Sequence, residues 1–413
     1  MVSATIDHMI SITIFLAALL LFISMFSQTN ETAIIYQQHR AIATKCSDLL
    51  DDILLNPGSP VTWGQESTYP KGFGLQDPEF TQYQLSTFSL MRLSSSTGST
   101  VTYGKTGQDV TYKSVTDGFG NSLIMPQSEL VNYSSALNLL GINNTYGFQL
   151  SLTPILDVAV SENHAANPLS LTVNASGNGF PLADAAISYC LLEVSLPSSE
   201  SEYPSYTLQN GTANADDTGA CVVQFPDVTG ANQVYAFIAY VHLDGLVGIG
   251  TYQRESSADQ SVVPIVDDAS QQGILLAHSF DINDSNAVAS SLKYNATFVV
   301  STEDFNLREM PIYSTNTTGV VTSGFGNPYI NVTIPTYTPG ILIVPYQQVD
   351  NPALGGVVMM PWGISSLGFP VTFGGDPRLQ EWVATDLRQV TINHVTYQAK
   401  LSLWSSTVLQ GIM

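Results

Sequence analysis

The sequence predicts a mainly β protein in which a long N-terminal helix, first transmembrane and then amphipathic, precedes β-sandwich domains. Three observations support this prediction. Residues 9–27 form an uncharged apolar run, and apolar residues at helical spacing continue beyond it towards Pro57. The rest of the chain consists of short alternating segments separated by Gly, Pro, Asn and Asp, which is typical of antiparallel strands and their turns.

The apolar run is long enough to cross a membrane. At about 1.5 Å per residue it rises roughly 28 Å, close to the hydrocarbon thickness of a bilayer. A removed signal peptide would carry a basic residue before a shorter apolar core, but no Lys or Arg precedes Arg40. We therefore expect a retained single-pass anchor in the cell membrane, in contact with membrane lipid.

Beyond the run, the helix is predicted to continue as a stalk. One face carries an apolar stripe at intervals of four and three residues, made of Ile35, His39, Ile42, Cys46, Leu49 and Ile53. We expect the helix to end at Asn56, because Pro57 disfavours helical conformation in the residue before it. An amphipathic helix of this kind requires a partner along its stripe.

The helix is assigned to residues 1–57, and the sequence after it divides into three regions. Residues 58–167 contain one helical candidate, at residues 127–140, and are predicted to form a small mixed, β-rich domain. Residues 168–256 are predicted to form a sandwich. Residues 257–413 end in a predicted hairpin around Asn393-His394 and are assigned to a C-terminal sandwich. The sequence leaves open whether that sandwich shares strands with residues 58–167.

The middle region carries a known pattern. Gly179-Phe-Pro181-Leu-Ala-Asp-Ala185 and Asp216-Asp-Thr-Gly219 resemble the signature of bacterial and archaeal immunoglobulin-like surface modules. The resemblance implies an Ig-like β-sandwich over residues 168–256. It also implies a role as a spacer or adhesive arm.

Composition argues against two large classes of function. Asp and Glu outnumber Lys and Arg by 34 to 12, for a net charge of -22, so the clustered cations that nucleic-acid binding requires are missing. The six histidines are scattered, and no Gly-x-Ser-x-Gly nucleophile motif occurs. We expect no metal, no cofactor and no enzymatic activity.

The cysteines allow two interpretations. Cys190 ends one strand-like segment and Cys221 opens another, so the two could form a disulfide bond or remain as two buried free thiols. Cys46 is interpreted as a small residue packed on the stalk.

Asn-X-Ser/Thr sequons are spread along the chain after the apolar run. They begin at Asn30, Asn132, Asn143, Asn174, Asn210, Asn283, Asn295, Asn316 and Asn331. This distribution fits a glycosylated surface, and we expect the bulk of the chain to be extracellular.

The N-terminal region resembles a known family. The non-basic tail Met1-Val-Ser-Ala-Thr-Ile-Asp7, the apolar run and the stalk end Asp51-Asp52-Ile-Leu-Leu-Asn-Pro57 are similar to type IV pilin-like proteins of archaea, including pilins and archaellum stator subunits. The resemblance implies association with copies of itself or with other pilin-like subunits. It also implies that Asp7 pairs with a neighbour's terminal amine, although Asp7 could instead lie among lipid headgroups. No basic residue and glycine precede the apolar run, which puts prepilin processing in doubt.

Two functions follow from these features. The first is a structural subunit or accessory of an archaeal type IV pilus-like surface assembly, joined through Asp7, Ile35, Ile42, Cys46, Leu49 and Ile53. The second is a single-pass cell-surface glycoprotein that acts as an adhesin or envelope spacer and uses the helix only as an anchor.

Overall fold

The fold is known from a computed structural model of the chain. It describes residues 2–79, 81–93, 100–105, 108–117, 120–199, 201–228, 230, 233–254, 260–282, 289–312, 316–324, 329–335, 337–363 and 368–406. Within these ranges the protein is mainly β, with one long helix at its N-terminus. The predicted fold class is confirmed.

The α-helices of the described chain are α1 (Val2–Leu55), α2 (Thr87–Met91), α3 (Tyr133–Leu139) and α4 (Ser279–Ile282). The strands of the first half are β1 (Thr100–Lys105), β2 (Gln108–Asp117), β3 (Gly120–Pro126), β4 (Tyr146–Pro154), β5 (Leu156–His164), β6 (Leu169–Gly177), β7 (Phe180–Pro181), β8 (Ala186–Ser195), β9 (Ser205–Asn214), β10 (Ala220–Phe225), β11 (Tyr235–Leu243) and β12 (Leu246–Arg254). Those of the second half are β13 (Val262–Asp268), β14 (Gly273–His278), β15 (Leu292–Asn295), β16 (Thr297–Ser301), β17 (Leu307–Met310), β18 (Thr318–Val321), β19 (Ile330–Thr333), β20 (Gly340–Gln348), β21 (Gly355–Trp362), β22 (Val371–Gly374), β23 (Ala384–Ile392) and β24 (Val395–Ser405).

Two sheets form the sandwich. The outer sandwich sheet has the order β10-β6-β5, with β7 paired to β6, and the inner sandwich sheet has the order β12-β11-β8-β9. The sandwich therefore includes β5 and begins before the predicted boundary at residue 168, because β5 pairs along its length with β6. Gly248 and Gly250 of β12 allow a close approach to β5, since a Cβ on either would lie 2.6 Å from Leu156 Cβ or 2.5 Å from Val158 Cγ1.

The other sheets join strands from both sides of the sandwich. The helix-bearing sheet has the order β22-β4-β24-β23, and the distal sheet has the order β1-β2-β3-β13-β14-β19. The central sheet, β17-β16-β20-β15-β18 with β21 paired to β20, comes entirely from the second half of the chain. Strands from residues 58–167 thus pair with strands from residues 257–413 in two separate sheets.

The sheets pack as successive layers. On the inner sandwich sheet, Phe237 faces the sandwich core, whereas its neighbour Ile238 belongs to a second core shared with Ile343 and Met359 of the central sheet. The opposite face of the central sheet packs with the distal sheet in a third core. Because both faces of β11 are buried, the sandwich is bound into the rest of the molecule.

Of two short elements predicted from the sequence, one is present as predicted and the other only in part. The hairpin at Asn393-His394 is confirmed: Ile392 pairs with Val395, and the two turn residues have φ of 44° and 71°, as a two-residue hairpin turn requires. The helix predicted at residues 127–140 is only partly present. Its first residues form a 3-10 turn, and α3 begins at Tyr133, where the side chain of Asn132 accepts a hydrogen bond from the Ser135 N–H.

Candidate membrane anchor and its attachment to the sheets

The first two-thirds of α1 stand clear of the rest of the molecule. Every residue from 6 to 38 is exposed, including Leu21 at 67% and Phe22 at 68%. Within the described chain, α1 is the one helix long and apolar enough to span a membrane, with a mean hydropathy of 2.6 over its most apolar stretch. Apolar side chains this exposed in water would be costly, and a bilayer would cover them.

The predicted stripe divides into an exposed part and a buried part. Ile35 is 42% exposed and Ile42 is partly buried, whereas Cys46, Leu49 and Ile53 are at most 2% exposed. The last three pack on the chain's own β-sheets, so the prediction that they join copies of the chain is wrong. The stripe finds its partner within the same molecule because the helix-bearing sheet presents an apolar face to it.

Cys46 marks the centre of this contact. Its Sγ lies 3.7 Å from the Ala384 carbonyl oxygen and 3.6 Å from that of Leu401, on β23 and β24. Burial, together with the negative charge of Asp386, raises the pKa of the Cys46 thiol to about 11. The thiol is therefore protonated and packed, as the sequence indicated.

Polar contacts fix the helix on the sheet. Arg388 Nε and Nη2 donate to the two carboxylate oxygens of Asp51 over 3.0 and 3.2 Å, and Nη2 also donates to Ser47 Oγ over 3.1 Å. Arg388 Nη1 donates to Asp386 Oδ1 over 2.9 Å. A fork-shaped guanidinium thus joins one turn of α1 to β23.

An aromatic contact lies where the exposed and buried parts of α1 meet. The ring of His39 stacks on that of Trp382, with the ring centres 4.1 Å apart and the planes parallel. Sequence analysis missed Trp382, because nothing in its neighbourhood signals that it faces a helix more than three hundred residues earlier.

The end of α1 is held by the loop that follows it. Backbone N–H groups of Leu75 and Gln76 donate to the carbonyl oxygens of Ile53 and Asn56 over 2.8 and 3.1 Å, so carbonyls at the helix end that lack helical partners are satisfied. Gly74 permits this approach, since a Cβ there would lie 2.1 Å from the Asn56 oxygen.

Trp63 and Arg92 lock that loop in place. Trp63 Nε1 donates to the carbonyl oxygens of Pro57 and Gly74, each over 3.0 Å. The fully buried Arg92 lies 5.6 Å above the Trp63 ring and donates to the backbone oxygens of Trp63, Thr68 and Glu129. Burial lowers the pKa of Arg92. Sequence reasoning missed both residues, although an isolated Arg in an apolar segment is a signal for such a buried cation.

The alternative of a disulfide bond between Cys190 and Cys221 is wrong, because both thiols are free and buried. Cys190 points from β8 into the core shared with the central sheet, whereas Cys221 points from β10 into the sandwich core. The side chains on successive positions of a strand point to opposite faces, and these two cysteines fall on different sides of the inner sandwich sheet.

The sequons differ in accessibility. Asn283 lies outside the described residues, Asn295 is half-buried, and the others are exposed: Asn30, Asn132, Asn143, Asn174, Asn210, Asn316 and Asn331. Three exposed side chains are engaged. Asn132 Oδ1 accepts a hydrogen bond from the Ser135 N–H over 2.9 Å, Asn210 exchanges hydrogen bonds of 3.4 and 3.3 Å with the Leu307 backbone, and Asn316 Nδ2 donates to the Asn331 carbonyl oxygen over 3.2 Å.

Asp7 is exposed near the start of α1, far along the helix from the contacts with the sheets. The structure thus brings Cys46, Leu49 and Ile53 together and leaves Asp7 and Ile35 on the free part of the helix. Among the described residues, no group of three or more His, Cys, Asp or Glu side chains could hold a metal ion.

No protein-family model matches the chain, and no curated protein matches it. Solved structures with weak similarity include trypsin-activated alpha-2-macroglobulin from Escherichia coli, at 10% identity over 57% of this chain and 18% of that chain, with a TM-score of 0.21. Red sea bream transglutaminase matches at 11% identity over 62% of this chain and 39% of its own, with a TM-score of 0.18. Yersinia pseudotuberculosis adhesin InvE matches at 13% identity over 50% of this chain and 58% of its own, also with a TM-score of 0.18. The chain therefore spans less than two-thirds of each, and similarity this low carries no conclusion about function.

Proposed function

We propose that this chain is a membrane-anchored structural subunit or accessory of a type IV pilus-like surface assembly. In this assembly the N-terminal helices of several copies, or of related pilin-like subunits, pack together. The β-sheet region faces the outside of the cell and carries glycans on its exposed sequons.

The observation that carries the proposal is the free stalk, residues 28–38, between the apolar run and the first contact with the sheets. These residues form about three turns of helix, roughly 16 Å long, and every one is exposed. Ile34 is 55% exposed and Tyr36 is 68% exposed. A helical segment gains most of its stability from packing, so a free stalk with apolar side chains is better explained by neighbouring helices than by a simple tether.

Substitution on the free stalk tests the proposal. In cells that express the full chain, we expect Ile34→Asp together with Tyr36→Asp to abolish chemical cross-linking between copies and recovery in material sheared from the surface. Cys46 should stay protected from alkylation, which shows that the helix remains docked. Leu379→Asp is the matched control, because Leu379 is 84% exposed but lies on the β-sheet region. A wild-type chain that is monomeric in native membranes would refute the proposal.

A second function is favoured by a different observation. Cys46, Leu49 and Ile53 are already covered by the chain's own sheet, so the docked part of the helix needs no second copy to bury its apolar side chains. A monomeric anchor that displays an adhesive or spacer domain would have this property. It predicts surface display without copy-to-copy cross-linking.

A further inference from the structure

We infer that Arg40 of one copy pairs with Asp48 of a neighbouring copy, so that copies of this chain join through a head-to-tail contact along α1. The inference rests on the proposed assembly through N-terminal helices and names the surface and the stagger by which it occurs.

The surface in question is the side of α1 that faces away from the sheets. At about 100° per residue, Thr44 lies nearly opposite the centre of the docked stripe, with Arg40 about 40° to one side of it and Asp48 about 40° to the other. Arg40, Thr44 and Asp48 are all exposed, as is Ala41 beside them. This face lies opposite the helix-bearing sheet, so another helix can reach it.

Its charges are unused within the described chain. Arg388 takes Asp51 as its partner, whereas Arg40 and Asp48 form no ion pair with any described residue. Arg40 is also the first cation of the sequence. The two opposite charges occupy different flanks of one face. Thr44 between them, and Ala41 about 20° beyond Asp48, are small side chains that allow two helices to approach closely.

The positions of the charges fix the kind of contact. Helices anchored in one membrane are parallel, so two copies at the same height place Arg40 about 12 Å below Asp48 of the neighbour, beyond the reach of the side chains. A copy raised by about 12 Å brings its Arg40 level with Asp48 of the lower copy. The lower copy's Arg40 and the upper copy's Asp48 remain available, so the contact is heterologous and repeats.

The flanks also imply a rotation. For the pair to form, Arg40 of one copy and Asp48 of the next must point towards each other, in opposite directions. Since the two residues lie about 80° apart around the helix, and not 180°, successive copies would turn by roughly the remaining 100° about a common axis, with the sheets outside and the helices inside. The occupant of this face is therefore a second copy of the chain, raised out of the plane of its neighbour.

Charge reversal in the full chain tests the pairing. We expect Arg40→Asp alone, or Asp48→Arg alone, to lower the cross-linked fraction in material sheared from the surface, where copies are staggered, by about two- to fivefold, the range for an exposed ion pair. The double variant should recover to near the wild-type fraction. Arg308→Asp is the matched control: it reverses an exposed positive charge, as Arg40→Asp does, but Arg308 lies on β17 and not on α1.

Cysteine cross-linking gives an independent measurement. Co-expressed Arg40→Cys and Asp48→Cys chains should form a disulfide-linked pair, whereas either chain alone should not, and the native cysteines are buried. If wild-type copies associate but the reversals have no effect and no mixed disulfide forms, the pairing is refuted while the proposed function stands. If wild-type copies do not associate at all, both are refuted.

Discussion

At the scale of single residues, Arg388 decides how firmly the helix is attached. It is 24% exposed and its partner Asp51 is 39% exposed, so solvent weakens the ion pair. We expect Arg388→Met to destabilise the docked helix by about 0.5–1.5 kcal/mol, because it removes the bonds to Asp51 and Ser47 and leaves two neighbouring carboxylates without their cation.

The measurement for this variant is the alkylation rate of Cys46, read by peptide mass spectrometry on the detergent-solubilised full chain. Cys46 is 0% exposed, so it reacts only when the helix lifts from the sheet. The loss in stability predicts a rate about two to ten times that of the wild type. Arg378→Met is the control, because Arg378 is 86% exposed and its ion pair is with nearby Asp376, not with α1. Equal rates in the two variants would contradict the prediction.

Asp386 makes the same attachment sensitive to acid. Burial alone would raise the pKa of this carboxyl group, but hydrogen bonds from Ser47, the Leu387 N–H and Arg388, with the charge of Arg388, lower its pKa below the usual 3.8. A lowered pKa means that the ionised form stabilises the docked state. That stabilisation is present above pH 3.8 and is lost as the pH falls through the lower, folded-state pKa.

Hydrogen exchange checks this pH dependence. After correction for the intrinsic rate, exchange of residues 46–54 should accelerate as the pH is lowered below 4, and Asp386→Asn should show the faster exchange already at neutral pH. Asp376→Asn is the control: hydrogen bonds from Arg378 also lower the pKa of Asp376, but this pair joins two residues of one short turn and includes no residue of α1. Exchange in the wild type that does not change between pH 6 and pH 3 would contradict the assignment.

At the scale of whole elements, local patterns predicted α1 and the last hairpin, and they failed where contacts are distant in sequence. Helical spacing and Pro57 place the end of α1 within two residues of Leu55, and the Asn393-His394 turn sets the register of β23 and β24. The stripe predicted a partner but could not identify it, since the choice between a neighbouring copy and the chain's own sheet depends on where β23 lies in space. The same limit applied to Arg388 and Trp382, whose partners are on α1.

The sequence could not decide whether residues 58–167 and residues 257–413 share strands, for a related reason. β4 and β24 both alternate apolar and polar residues, and such a pattern fixes which face of a strand is buried but not which strand it pairs with. The pairing of β4 with β24 over nine residues became visible only in the structure.

At the scale of the whole molecule, the layered packing means that the sandwich does not behave as an independent module. Tyr240 and Phe237 lie on the same strand, β11, and both are buried, but they face opposite sides. The Tyr240 ring lies 5.1 Å from that of Phe305, in the connection between β16 and β17, whereas Phe237 packs with Tyr189 and Phe225 inside the sandwich. Two aromatic residues three positions apart therefore report on two different layers.

Removing the ring of Tyr240 or of Phe237 should show whether the sandwich is packed against the central sheet or moves as a separate domain. Truncation of either buried aromatic residue to Ala costs about 3–5 kcal/mol. We expect Tyr240→Ala to increase hydrogen exchange in β16 and β17 as well as in β11, because it opens the core that the sandwich shares with the central sheet. Phe237→Ala should increase exchange in β6, β8 and β10 and affect β16 and β17 much less. If Tyr240→Ala leaves β16 and β17 as protected as in the wild type, the sandwich is a separate unit, and its use as a swinging adhesive arm would become the better description of the molecule.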